Sequence, residues 1–147
     1  MLELIKEIRK ETGAGIVEIK KAIEEVGEDK EKIFELLRKS GLQKAEKKSD
    51  RVASDGTIVS YVHADGKSGA MVKLLCETDF VAKNDEFLAL ANDIAMHVVA
   101  MKPTSVEDLY DQSFVKNPEM TVEEVIKGKI AVVGENIKVD EFVLLEF

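Results

Sequence analysis

The sequence predicts an α+β protein with a helical N-terminal part and a sheet-containing C-terminal part. Over residues 1–42, apolar side chains recur at spacings of three and four, which is typical of amphipathic helices. After residue 56, apolar residues alternate with polar ones, which is typical of half-buried strands. We therefore predict a domain of three short helices over residues 1–42. A core domain over residues 57–147 is predicted to be a three-stranded antiparallel sheet packed with helices.

Two glycines divide the helical part. Gly13 follows the first apolar repeat and Gly27 follows the second, and glycine readily adopts the left-handed conformation that ends a helix. We therefore predict a first helix that ends near Thr12 and a second helix over residues 16–26. Ile23 lies on the apolar stripe of the second helix, which is predicted to pack inward.

A third helix is predicted to begin near Asp29. The sequence "RKSGL" indicates that this helix ends in a left-handed cap near Gly41. Residues 43–56 are polar and lack an apolar stripe, so they are predicted to be a linker. Their lysines could form a phosphate-binding patch, but Glu46 and Asp50 intervene, which favours a solvated connector.

The core domain begins with a predicted β-hairpin. Its alternating segments, "TIVSYVHA" and "AMVKLLCET", flank the turn sequence "DGKSG". A helix is predicted to begin near Asn84, whose side chain can cap it, and to continue through Val99. Because this helix is apolar on most sides, it is predicted to lie buried against the sheet.

A further helix and a last strand are predicted at the C-terminal end. Thr121 and Glu124 have the spacing of a capping box, which predicts a helix from there to about Val133. The closing segment "NIKVDEFVLLEF" is predicted to be the third strand. The residues predicted to share one face of that strand are Ile137, Val139, Val143, Leu145 and Phe147.

Composition and charge argue against several kinds of partner. The net charge is −8; residues 1–54 carry 13 basic and 12 acidic side chains, whereas residues 55–147 carry 8 and 17. An acidic core argues against direct binding of nucleic acid, because affinity for phosphate chains comes mostly from clustered lysine and arginine. The sequence has no apolar run near the roughly 20 residues of a membrane span. We therefore expect no membrane partner and a cytoplasmic location, which the single cysteine, Cys76, also suits.

Residues that could carry catalytic chemistry are few. His63 and His97 have no cysteine or carboxylate at metal-ligand spacing, and structural roles are favoured for both. Cys76 shares a predicted strand face with two apolar residues, so we expect a buried small side chain rather than a reactive thiol. The sequence therefore favours a protein that is not an enzyme, with an enzyme that uses Cys76 or His97 as the least favoured alternative, and no cofactor or metal is expected.

Two apolar features do not fit a simple core. Ile16 and Val17 fall at the edge of the second helix's stripe and on the opposite side from it. This outward pair is either a contact site or two of the exposed apolar residues that proteins commonly carry. Phe80 lies in the polar turn "CETDFVAKNDEF", and it either enters the core or faces outward.

Three segments in order resemble the translation elongation factor Ts family. The sequence from "TGAGIVEIKKAIEEVG" to "DRVASDG" resembles that family's ubiquitin-associated-like N-terminal domain and linker. The segment "CETDFVAKNDEF" resembles its core signature, and "GENIKV" resembles a third family segment. Together they span nearly the whole chain, and their order makes the resemblance specific.

The resemblance implies a guanine nucleotide exchange factor for the GTPase elongation factor Tu. In that family the phenylalanine of "TDF" inserts between helices of the GTPase domain and disturbs the side of the nucleotide site that holds Mg²⁺ and phosphates. Asp79 would either orient the turn or accept a hydrogen bond. The residues implied to contact the GTPase are Thr78, Asp79, Phe80 and Val81 in the core and Arg9, Ile16 and Val17 in the N-terminal domain.

Within that family the chain resembles the short forms. It has one "TDF" segment, and about eight residues replace a long helical segment that many relatives carry before "DQSFVKNPEMTVEEV". Longer members have two related core subdomains, and short forms supply the second half by dimerising. The resemblance therefore implies a homodimer, which the apolar residues on both sides of the last predicted strand also favour.

A second function class is an adaptor without exchange activity. The N-terminal three-helix unit alone could dock a helical or ubiquitin-like partner through residues 13–17. An adaptor has no need to expose the "TDF" turn, so exposure of that turn discriminates between the two functions.

Overall fold

Seven helices and five strands make up the fold in the computed structural model, which describes all residues from Met1 to Phe147. The chain is α+β, as predicted, with one hydrophobic cluster among the N-terminal helices and a larger one between the sheet and the other helices. None of its helices combines the length and apolar character needed to cross a membrane. The elements in chain order are α1 (Leu2–Thr12), α2 (Ile16–Val26), α3 (Lys30–Lys48), β1 (Asp55–Val62), β2 (Ser68–Cys76), α4 (Asp79–Ala82), α5 (Asp85–Met101), α6 (Val106–Asp111), β3 (Ser113–Phe114), β4 (Asn117–Thr121), α7 (Val122–Val133) and β5 (Lys138–Glu146).

Helices α1, α2 and α3 pack their apolar stripes against one another. Ile8, Ile19 and Ile33, one from each helix, are fully buried in the N-terminal cluster. Gly13 and Gly27 directly follow α1 and α2 and have positive φ values of 71° and 78°. The predicted ends of the first two helices are therefore confirmed.

Helix α3 is longer than predicted. It begins after Asp29, as expected, but the predicted end near Gly41 is wrong because the helix continues to Lys48. Gly41 is buried, and a Cβ added to it would lie 3.5 Å from the Cβ of Ala131 in α7. The glycine therefore permits close approach of two helices and does not end α3.

The extension of α3 changes the interpretation of the predicted linker. Residues 43–48 are helical rather than a solvated connector. Ala45 is buried in the larger cluster, and Lys127 of α7 forms an ion pair with Glu46. The division of the chain into domains stays a prediction, but α3 joins the N-terminal helices directly to the core.

Strands β1, β2 and β5 form the predicted antiparallel sheet, with β2 in the centre. Val72 and Leu74 of β2 are fully buried on the inner face, and Phe87 and Ile94 of α5 belong to the same cluster. The predicted burial of α5 against the sheet is thus confirmed. The opposite face of the sheet has no covering element in this chain and is called the outer face below.

A β-bulge in β5 overturns the predicted face of the last strand. The register passes from Lys73 opposite Glu141 to Leu74 opposite Val139, so Asp140 has no partner. One extra residue inverts the alternation of side chains beyond it. Val139 is therefore buried, but the predicted grouping of Val143, Leu145 and Phe147 with it is wrong, because all three are exposed. Phe142 and Leu144 pack on the inner face instead.

The predicted helix caps of the core are present. The Asn84 side chain accepts a hydrogen bond from the backbone N–H of Glu86 at 2.8 Å at the start of α5. Thr121 and Glu124 form the complete capping box of α7. These local bonds define both helix starts because they satisfy backbone donors that lack partners within the helix.

Three short features were not predicted. Helices α4 and α6 have four and six residues, and β3 forms a small antiparallel pair with β4. Elements this short carry too few residues to show an apolar period. The α6 and β3–β4 segments connect α5 to α7, and the buried residues Leu109 and Phe114 anchor them in the larger cluster.

Candidate protein-binding site

The turn after β2 carries four of the predicted contact residues. Thr78 caps the one-turn helix α4, because its Oγ1 accepts a hydrogen bond from the backbone N–H of Val81 at 3.4 Å. Val81 is half-buried against the larger cluster, whereas Asp79 and Phe80 are exposed. The Asp79 carboxylate makes no hydrogen bond within the chain, so it is free to accept one from a partner.

Phe80 presents most of its side chain to solvent. The residue is 83% exposed, so the alternative in which it enters the core is wrong. Ala82 and Phe87, which follow it in the sequence, are buried in the larger cluster. An aromatic ring held outward on an ordered turn is a typical anchor of a protein interface.

Glu135, which the sequence did not single out, binds this turn from the other side. Its Oε1 accepts hydrogen bonds from the backbone N–H groups of Glu77 at 3.1 Å and Thr78 at 3.0 Å. Its Oε2 accepts one from Oγ1 of Thr78 at 2.7 Å. The segment "GENIKV" carried a family resemblance, but no local pattern indicates that its carboxylate reaches a turn more than 50 residues earlier.

Asn136 completes the connection between these segments. Its backbone N–H donates to Oε1 of Glu77 at 2.8 Å. Hydrogen bonds therefore run in both directions, because the turn donates to Glu135 and accepts from Asn136. Its side-chain amide donates to the carbonyl oxygens of Ser49 at 3.4 Å and Arg51 at 2.8 Å. The end of α3, the turn after β2 and the turn before β5 are therefore tied together by hydrogen bonds.

The other predicted contact residues lie on α1 and α2. Arg9, Ile16 and Val17 are all exposed, and Val17 is 69% exposed. Ile19 and Ile23 of the same helix are buried. The predicted outward orientation of Ile16 and Val17 is thus present in the structure.

The N-terminal helices lie close to α7 and to the start of α5. A Cβ added to Gly13 would lie 3.1 Å from Cγ2 of Val132, so the loop between α1 and α2 packs on α7. Arg9 and Glu86, from the first turn of α5, line one open groove. The N-terminal helices therefore lie against α7 and near the start of α5.

The residues considered for chemistry have structural surroundings. Burial, with the charge of Glu135, raises the pKa of the Cys76 thiol to about 11, so it is protonated and unreactive at neutral pH. His97 is buried and holds Gln112 and Val115 through its two ring nitrogens. The His63 ring lies 3.1 Å from the Tyr61 hydroxyl at the exposed end of β1.

Comparison with known proteins decides the family. The sequence model of the protein family described as "Elongation factor TS" matches residues 77–147 of this chain. The elongation factor Ts of Carboxydothermus hydrogenoformans is 37% identical, with 98% of this chain and 87% of the relative covered. That of Thermosipho melanesiensis is 42% identical, with 96% and 95% covered. The chain belongs to the elongation factor Ts family.

Elongation factor Ts proteins similar to this chain differ in length. The alignment to the Carboxydothermus protein runs over 189 residues, so that relative carries residues which this chain of 147 lacks. The elongation factor Ts of Clostridium botulinum Eklund 17B is 46% identical over 95% of this chain, which covers only 45% of the relative. The matched family region starts at Glu77 and therefore contains both the Phe80 turn and the Glu135 segment that binds it.

Proposed function

We propose that this protein is a guanine nucleotide exchange factor that binds elongation factor Tu and promotes release of GDP. The observation that carries the proposal is the exposure of Phe80 on a braced one-turn helix, within the segment that resembles the family's core signature. The ring would insert between helices of the GTPase and disturb the Mg²⁺ and phosphate side of its nucleotide site. The proposed partner implies that the protein acts in the cytoplasm.

Differential binding is enough to explain exchange. If the factor binds the nucleotide-free GTPase more tightly than the GDP-bound form, it must weaken GDP binding by the same ratio. Burying a phenylalanine ring at an interface contributes about 1.5–3 kcal/mol. That free energy would be gained only in the open form of the GTPase, where it offsets lost contacts to Mg²⁺ and phosphate. No bond in the GTPase or nucleotide needs to form or break, so the protein is not proposed to be an enzyme.

The proposed contact surface has two parts. Thr78, Asp79, Phe80 and Val81 form the core part. Arg9, Ile16 and Val17 form the N-terminal part. Each part carries exposed apolar side chains, which supports the proposal because an interface needs apolar anchors with a polar rim.

Release of fluorescent GDP from elongation factor Tu tests the exchange proposal. We expect addition of the protein to accelerate release in a saturable manner. An adaptor of the alternative class would bind the GTPase, or another partner, without changing the release rate. Unchanged release at saturating protein would overturn the exchange proposal while leaving family membership intact.

We also propose that two copies of the chain form a homodimer through the outer face of the sheet. In the register, Ser60, Met71 and Val143 form one row across the three strands, and Val62, Gly69 and Leu145 form the next. The four large apolar residues of these rows are all more than half exposed. A face of this kind on a three-stranded sheet is expected to be covered by another sheet or subunit.

The length comparison supports the dimer proposal. Relatives such as the Clostridium botulinum protein are about twice as long as the segment that this chain matches. In the proposed dimer, the second copy would take the place of the second core half that longer family members are expected to carry. A closed two-fold dimer would also present two Phe80 turns.

A further inference from the structure

We infer that Glu135 is a positioning residue for nucleotide exchange, because it holds the turn from which Phe80 projects. The inference rests on the proposed exchange function and adds to the proposed contact surface a residue that need not touch the GTPase. Three observations support the inference. Glu135 accepts three hydrogen bonds from the turn, the pairing of the sheet strands ends before the turn, and Glu135 is itself held in place.

The backbone of the turn lacks partners from the sheet. The pairing of β2 with β1 ends at Cys76, and its pairing with β5 ends at Leu75. The next two N–H groups, those of Glu77 and Thr78, therefore lie beyond both ladders. Oε1 of Glu135 accepts both of them, and a carboxylate is a stronger acceptor for backbone N–H than a neutral group.

A chain of hydrogen bonds continues from Glu135 to the helix that carries Phe80. The Thr78 hydroxyl donates to Oε2 of Glu135 at 2.7 Å and accepts from the backbone N–H of Val81 at 3.4 Å. Val81 directly follows Phe80. The orientation of the first turn of α4 is therefore linked to the position of a single carboxylate.

Glu135 is itself held in a defined position. It follows Gly134, which ends α7 in the left-handed conformation with a φ of 79°. It precedes Asn136, which is 97% buried and donates to Glu77, Ser49 and Arg51. A functional side chain is presented well when its supporting residues are fixed in this way.

Loss of the Glu135 carboxylate should therefore act through Phe80. The two N–H groups would lose their acceptor, and the turn would sample orientations in which the ring does not fit the GTPase. Ordering that turn on binding would then reduce the exchange rate at limiting factor concentration. We expect a roughly ten- to hundredfold loss, since misplacement of a reacting or inserting group by about 1 Å costs up to about 10²-fold.

A double-mutant cycle tests this inference. Exchange on fluorescent-GDP-loaded elongation factor Tu is measured for the wild type, Glu135→Ala, Phe80→Ala and the double variant, with the melting temperature of each. If Glu135 acts through Phe80, Glu135→Ala reduces exchange strongly in the wild type but little further in the Phe80→Ala background. Equal fold-losses in both backgrounds would overturn the inference.

Two further variants separate positioning from loss of charge. Glu119→Ala removes an exposed carboxylate that makes no side-chain hydrogen bond or ion pair, and we expect unchanged exchange. Glu135→Gln keeps one acceptor oxygen for the backbone N–H groups, so it should retain more activity than Glu135→Ala. A Glu119→Ala loss equal to that of Glu135→Ala would point to net charge and contradict positioning.

If Glu135→Ala does not fold, Thr78→Val takes its place in the same double-mutant cycle with Phe80→Ala. Valine has the shape of threonine but lacks the hydroxyl that connects Glu135 to Val81, so we expect reduced exchange, with rescue by Thr78→Ser. If the wild type promotes exchange and Thr78→Val is equally active, the inference is contradicted. Absence of exchange by the wild type would instead contradict the proposed function, so the two failures are distinguishable.

Discussion

Phe80 and Phe87 lie seven residues apart on consecutive helices and have opposite surroundings. Phe80 on α4 is 83% exposed, whereas Phe87 on α5 is fully buried in the larger cluster. One ring is therefore available to a partner, and the other stabilises the fold.

Truncation of these two rings should separate function from stability. We expect Phe80→Ala to change the free energy of unfolding by less than about 0.5 kcal/mol, as is usual for an exposed side chain. It should reduce exchange roughly ten- to hundredfold, because the interface loses the burial of the ring. Phe87→Ala should instead cost about 3–5 kcal/mol of stability. Urea unfolding and GDP release measure both; normal exchange by Phe80→Ala would refute the insertion proposal.

Two substitutions on α2 test the N-terminal part of the contact surface. Val17→Asp should leave the melting temperature nearly unchanged, because Val17 is exposed. It should weaken binding to elongation factor Tu, because a charge would be desolvated at the interface. Ile23→Asp places an unpaired charge among buried side chains and should unfold the N-terminal helices. Calorimetry and binding titration check both, and equal thermal damage would contradict the assignment of the surface.

The dimer proposal predicts a mass of two chains by light scattering at micromolar concentration. Leu145→Glu should shift the mass to that of one chain, because a carboxylate would face the apolar surface of the other copy. Val52→Glu is the matched control, since Val52 is similarly exposed but lies between α3 and β1. A wild-type mass near the 16.3 kDa of one chain would refute the dimer.

The surroundings of His97 predict a pH dependence of stability. Burial lowers the pKa of His97 below its usual 6.5. Its Nδ1 accepts from the backbone N–H of Val115, and Nε2 donates to Gln112, so the folded state holds the neutral ring. As the pH falls, His97 takes up a proton in the unfolded state before it does so in the folded state. The contribution of the neutral ring to the free energy of unfolding is therefore complete above about pH 6.5 and is lost progressively below it.

Thermal unfolding between pH 7.5 and 5.5 measures this effect. The wild type should lose up to about 1.4 kcal/mol per pH unit below pH 6.5 from this group. His97→Gln should be less stable at pH 7.5 but should show a flatter dependence. His63→Gln serves as the control because His63 is exposed, and it should keep the wild-type slope. A wild-type slope in His97→Gln would rule out His97 as its source.

Prediction from sequence succeeded where local patterns control structure. Gly13 and Gly27 end helices through their own conformation, and Thr121 and Glu124 form a cap within one turn. It failed at Gly41, where the same residue type permits contact with Ala131, 90 positions later in the sequence. The conformation of a glycine at such a contact depends on tertiary packing, which no short pattern contains.

The candidate site shows the same limit. Exposure of Val17 follows from helical period, and the site residues of the Phe80 turn came from resemblance to a family. The bulge at Asp140 and the reach of Glu135 to Thr78 depend on how distant segments align. Neither feature has a sequence pattern of its own. A bulged aspartate or a bonded glutamate cannot be told from the same residue in a solvent-exposed loop by its neighbours in the sequence.

The unbroken length of α3 bears on how the two parts of the contact surface act together. A flexible connector would let the second part search space after the first had bound, and its effective concentration would fall as the connector lengthened. Here α3 is unbroken and packs along α7, so the N-terminal helices are attached to the core without a flexible connector. The orientational entropy of the second contact is then lost during folding rather than during binding. If both parts of the proposed surface contact elongation factor Tu, a GTPase with a different spacing between its two receiving surfaces could engage only one part at a time.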